Sequence, residues 1–146
     1  MVSSLILIIQ VLCLSLWIGG SAVLWLVVTP QVFTQMPRET AGALAGHIFR
    51  RFSSAMLAVL FVLAATILIQ LAGLSESAGL KLRFALILVF GGMLLSMYDR
   101  YILSPRLRSA NPDGLGKTHR QSVVLFVLNL FLGIAVVITF IVPIAL

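Results

Sequence analysis

The chain has 146 residues, 61% of them hydrophobic and only 10% charged, whereas soluble globular domains are nearer half apolar and a quarter charged. Its formal net charge of +6 would suit a nucleic-acid partner, but the basic residues stand at the ends of apolar runs, where anionic lipid and the positive-inside bias account for them, and no nucleic acid is expected. A single cysteine, Cys13, excludes an intrachain disulfide.

The first apolar run predicts a helix over about 3–34, longer than the ~20 residues that span a bilayer. It lacks a positive n-region and is too long for a signal-peptide core, which speaks against cleavage. Pro30 near its end predicts a kink, since proline cannot bond the carbonyl of Leu26. Ser15, Gly19 and Gly20 offer a small-residue face for close helix approach. A second helix is expected over about 37–74, opened by Pro37 and favoured by Glu39 near its positive end. In its first part His47, Arg50, Arg51 and Ser54 fall on one polar stripe, while Ile48, Phe49 and Phe52 face elsewhere.

A short connection containing Glu76 leads to a third helix over about 80–104, with Lys81 and Arg83 placed to snorkel outward. Gly92, Ser96 and Asp99 share a face that should point into the bundle. A second basic hairpin is expected from Pro105 to about Gly116, then a fourth helix over about 114–143 with Thr118, Ser122, Asn129 and Gly133 on one face. The whole reads as an all-α, integral membrane four-helix bundle in a single transmembrane domain, its loops too short to hold another.

Lys and Arg set the orientation. Arg38, Arg50, Arg51, Arg100, Arg106, Arg108, Lys117 and Arg120 belong to the two hairpins and their helix ends, against Lys81 and Arg83 on the other side. This imbalance predicts both hairpins in the cytoplasm and both termini outside. The halves also echo each other. Thr29-Pro30-Gln31-Val32 resembles Ser104-Pro105-Arg106-Leu107, and Pro30 and Pro105, like Pro37 and Pro112, stand 75 residues apart. Two pseudo-repeated helical hairpins about an axis along the membrane normal would explain this; so would the ordinary preference for proline near a hairpin turn.

Trp17-Ile18-Gly19-Gly20, Thr29-Pro30-Gln31-Val32-Phe33, Pro37-Arg38-Glu39-Thr40-Ala41-Gly42 and Ile48-Phe49-Arg50-Arg51-Phe52 resemble the first half of a bacterial four-helix membrane family of unknown function. Pro105-Arg106-Leu107-Arg108 and His119-Arg120-Gln121-Ser122-Val123 resemble its second half. The resemblance implies a place in a bacterial inner membrane and kinship with a eukaryotic transmembrane protein associated with drug and platinum resistance. It also implies a wider group of copper-resistance membrane domains and a haem-pathway membrane oxidase. The chain departs from that group in having only His47 and His119, neither of them in the middle of an apolar run, so an intramembrane bis-histidine haem site does not carry over.

His47 and His119 together could ligate haem or a metal, although interfacial hydrogen bonding explains them more simply. Met93 and Met97, with Met56 and Cys13, are soft ligands of the Cu(I) type and also ordinary gap fillers. Gln70 and Asn129 inside apolar runs predict interhelical hydrogen bonds. Asp99 is the one acid near a membrane interior; it is expected to stay ionised and paired with Arg51 or Arg120, a structural ion pair being favoured over a functional carboxylate. No phosphate loop, zinc motif or nucleophilic triad is present, and no catalytic residue is identified.

The leading expectation is a non-enzymatic membrane protein that binds or passes a small solute through a basic cytoplasmic-side vestibule. His47, Arg50, Arg51, Asp99, Arg100, Arg106, His119 and Arg120 are its candidate residues, and homo-oligomers or a membrane partner in the lipid bilayer complete it. A haem- or metal-dependent membrane redox protein and a structural subunit of a larger complex are the alternatives. The orientation has a direct check: a cysteine at Asn111 should react with an impermeant label only from the cytoplasmic side, and labelling from the outside alone would reverse the topology.

Overall fold

The computed structural model describes residues 2–73, 79–109 and 112–141. Helix α1 (Val2–Val23) runs into a π-helical turn (Leu24–Val28) and short α2 (Thr29–Gln35); α3 (Arg38–Ala72) follows. Helix α4 (Leu80–Tyr98) runs into a second π-helical turn (Asp99–Leu103) and short α5 (Ser104–Ser109); α6 (Pro112–Ile141) closes the order. Glu76, Asn111 and Pro143 lie outside the described residues.

Four stretches are long and apolar enough to cross a membrane: Ser4–Gln35, Thr40–Ala72, Leu80–Arg106 and Arg120–Ile141. Only 17% to 33% of each apolar window is buried inside the bundle, so the remainder needs an apolar surround. Leu26, Phe61, Ile87, Leu94 and Phe131 are among the large side chains it turns outward. An apolar surface that extensive belongs in lipid, where helices satisfy their backbone groups internally. The chain is an all-α four-helix bundle and a multi-pass membrane protein.

The prolines act differently from the expected simple kink. Pro30 has no N–H, and the helix widens just before it, so that the Thr29 N–H bonds the Leu24 carbonyl five residues back. The Thr29 hydroxyl donates to the same carbonyl at 2.8 Å. At Pro105 the same widening recurs, with the Ser104 N–H bonded to the Asp99 carbonyl. The third helix therefore does not stop at Ser104. It continues through α5 to Ser109, and α6 already begins at Pro112, so most of the stretch expected as a basic hairpin is helical. The order long helix, π turn, short helix, long helix occurs twice, with Leu24 matching Asp99 and Thr29 matching Ser104 at the 75-residue offset of the prolines.

In the bundle α3 and α6 each lie against both α1 and α4, while α2 and α5 lean on α3. Trp17 fills the middle and is 0% exposed. A Cβ at Gly92 of α4 would stand 2.6 Å from its Cζ2 atom. One at Gly133 of α6 would stand 3.4 Å from its Cδ2 atom and 3.0 Å from Ile18. The small residues that allow the closest approach are thus Gly92 and Gly133, and of the three expected on α1 only Gly20 contributes. Ser15 is exposed, Gly19 has nothing within 4 Å of a built Cβ, and only Gly20 meets a neighbour, Phe52 at 3.2 Å. Around Trp17 the apolar core continues through Leu60, Leu63, Ile67, Val89 and Val136. A second cluster, Leu24, Ala45 and Phe49, carries Phe126, whose ring lies 6.1 Å from that of Phe49 and 5.7 Å from that of Phe52.

Gly92→Ala forces this core apart and should lower stability by about 1–3 kcal/mol, the usual effect of overpacking. Gly19→Ala should leave it unchanged, and equal thermal midpoints for both variants in detergent would disprove the Trp17 contact.

Candidate functional site

Polar groups of five residues inside the bundle, Trp17, Ser53, Ser96, Asp99 and Asn129, come together. Trp17 Nε1 donates to Asn129 Oδ1 at 3.2 Å. Indole nitrogen only donates, so this bond fixes which way the amide lies. The Asn129 amide nitrogen then donates to Ser96 Oγ at 3.2 Å. Three residues on, Asp99 opens the second π turn and accepts a short hydrogen bond from the Ser53 hydroxyl of α3. Four helical segments thus supply one buried polar group. Gln10 and Gln70 join α1 to α3 by a separate bond of 3.0 Å, so both polar residues singled out in apolar runs, Gln70 and Asn129, make the interhelical bonds expected of them.

Ser53, Ser96, Asp99 and Asn129 are the polar walls of a small, partly open cavity whose apolar walls include Phe52, Met56 and Phe126. Its volume is about 10 Å³, room for roughly one water. Ser104, 0% exposed, lies beside the Asp99 carboxyl without completing a hydrogen bond to it. Ser21 and Ser122 are also buried, with hydroxyls that have no partner among the described residues. In a helix such a group usually turns back to a carbonyl one turn earlier. Thr66 bonds Leu63, Thr139 bonds Ala135 and Ser54 bonds Arg50, each within 2.8 Å; Ser104 does not.

The expected ion pair of Asp99 with Arg51 or Arg120 is not formed among the described residues. Both arginines are exposed, and Asp99 is met instead by a hydroxyl. The reason is geometric: Asp99 follows the buried face of Ser96 into the bundle, while Arg51 follows the outward stripe of His47 and Arg50. His47, Arg50 and Arg51 of that stripe are exposed, its fourth member Ser54 is half-buried, and Arg106 is exposed. Arg100 is half-buried with its guanidinium 5.2 Å from the Tyr101 ring centre, and its Nε has no partner. The His119 side chain lies outside the described residues, so its expected meeting with His47 does too. Of the sulfur groups, Met97 is exposed, whereas Cys13, Met56 and Met93 are buried in the cluster around Trp17.

Three participants were missed in the sequence: Trp17 as a donor, and Ser53 and Ser104 as neighbours of Asp99. The 75-residue offset held a signal for one of them, since it places Ser104 on Thr29. Ser53 had no such signal beside the charged pair Arg50 and Arg51.

Fold and site together define a multi-pass membrane bundle with a buried polar centre. The chain belongs to a family described as a domain of unknown function, DUF4149, which it matches over residues 12–116. No curated protein and no solved structure matches it. Family membership brings with it no link to drug or copper resistance.

The polar group can be tested as a unit. Asn129→Leu removes the acceptor of Trp17 and the donor to Ser96, and should destabilise the bundle by roughly 1 kcal/mol, given about 0.6 kcal/mol for each such bond in a membrane. A double-mutant cycle with Trp17→Phe should show coupling of that order; additive effects would mean that the bond contributes nothing.

Proposed function

We propose that this protein binds a small solute and passes it between its helices, and that the binding centre is the buried polar group around Asp99. One observation carries this reading: a carboxyl buried within a membrane bundle, on a π turn, beside a cavity and without an ion pair among the described residues. Ionisable residues at such depth are rare and line substrate or ion paths, and π turns recur at functional sites. Two halves of the same element order, each broken before a proline, also suit a transporter built from repeats. The exposed cations Arg50, Arg51, Arg106 and Arg120 are then a belt on the cytoplasmic side that raises the local concentration of anions. A complete path involves further copies of the chain or a membrane partner, because the central cavity is small.

The haem or metal redox alternative gains no observation of its own, and the same is true of a subunit role. The experiment is a thermal-shift screen of the purified full chain against sodium, potassium, chloride, phosphate and small organic acids. At least one should raise the melting midpoint, and Asp99→Ala should remove that rise while responses to bulk salt persist. Responses that are identical in wild type and Asp99→Ala would refute the site. A haem absorption band lost on His47 or His119 substitution would replace the reading with the redox one.

A further inference from the structure

We propose that the oxygens around Asp99 form a binding site for one sodium ion. This names the solute class of the centre described above and rests on that reading.

The charge comes first. Asp99 is 7% exposed, and among the described residues no cation pairs with it. A buried carboxylate needs a counter-charge close by. The residues around it are neutral hydroxyls and an amide: Ser53, Ser96, Ser104 and Asn129. One carboxylate with neutral oxygens balances a single positive charge.

The donor set comes next. Beside Asp99 stand the hydroxyl oxygens of Ser53, Ser96 and Ser104, with the Met56 thioether as a soft group on the cavity wall; three hydroxyls and a carboxylate favour hard cations over copper or zinc. Calcium takes six to eight oxygens and commonly several carboxylates; here there is one. No three of His, Cys, Asp and Glu come together among the described residues. The cavity of about 10 Å³ suits an ion stripped of water rather than a hydrated one.

Comparison of the two halves supplies an independent observation. At the first π turn, position 24 is leucine, and the hydroxyl of Thr29 is bonded to its own helix at 2.8 Å. At the second, position 99 is aspartate, and the hydroxyl of Ser104 is fully buried next to the carboxyl and, among the described residues, bonded to no carbonyl of its own helix. The same backbone device is self-satisfied in one half and, in the other, carries a carboxyl and a hydroxyl that its own helix does not satisfy. Ser96 adds to this: it accepts from Asn129, which is itself oriented by Trp17, so one of its lone pairs is still free to face a cation.

The test is the melting midpoint of the full chain in detergent, titrated with sodium chloride against choline chloride at constant ionic strength. A saturable, sodium-specific rise is expected. Ser104→Ala and Ser53→Ala should each move the sodium midpoint upward roughly tenfold, as the loss of one oxygen ligand would, while still melting cooperatively in choline. Asp99→Asn should abolish the response. The inference falls if wild type does not distinguish sodium from choline, if magnesium at equal ionic strength gives the same rise, or if the rise survives in Asp99→Asn. It falls equally if the midpoint follows pH through Asp99 with no effect of sodium, since the carboxyl then holds a proton. If another solute shifts the midpoint through Asp99 while sodium does not, the sodium assignment fails and the solute-binding centre stands. If Asp99→Asn does not fold, Ser104→Ala decides: an unaltered sodium midpoint there overturns the assignment.

Discussion

The bundle depends on how it accommodates one indole. Trp17 projects from α1 into the middle of the helices, and the space for it exists because Gly92 and Gly133 carry no side chain. In lipid there is no hydrophobic force between helices, so close packing and hydrogen bonds must hold them. The Trp17 ring supplies both. Its faces meet glycines on α4 and α6, and its nitrogen finds the Asn129 amide, which in turn meets Ser96. The Asn129 amide direction, the Ser96 acceptor role and the placement of the cavity beside Asp99 all follow from where this ring sits.

The second constraint is the pair of prolines. A proline inside a helix leaves a carbonyl unserved one turn earlier, which is expensive in a bilayer unless the backbone adjusts. Here the adjustment is a π turn five residues long, made once before Thr29-Pro30 and again before Ser104-Pro105. A π turn shifts the face that the following residues present. The second turn begins at Asp99, and it joins the buried face of α4 to the start of α5, so Asp99 and Ser104 are both buried near Ser53.

Much of this was legible in the sequence. Four apolar runs, terminal charges and the buried face of Gly92, Ser96 and Asp99 are one-dimensional patterns, and hydropathy and helical spacing read them directly. Partners are another matter. Asp99 was expected to meet an arginine because arginines are abundant at that end, yet abundance does not determine which face a residue occupies. Arg51 and Ser53 are two positions apart on α3 and so point in different directions; the serine faces Asp99 and the arginine faces outward. Ser15 and Gly19 show the same limit from the other side. Their spacing allows close approach, but α1 turns that face outward: both are exposed, and nothing stands within 4 Å of a Cβ built on Gly19.

The two halves share a backbone plan but differ in chemistry. Leu24 and Thr29 close the first π turn on itself, whereas Asp99 and Ser104 leave the second with buried polar groups that its own helix does not satisfy. A purely structural repeat has reason to keep the self-satisfied form twice, since a buried polar group in lipid without a partner is destabilising. A carboxyl in place of the leucine makes sense where something positive is to be held. That asymmetry, rather than the exposed arginines, is what distinguishes this bundle from a scaffold of four packed helices.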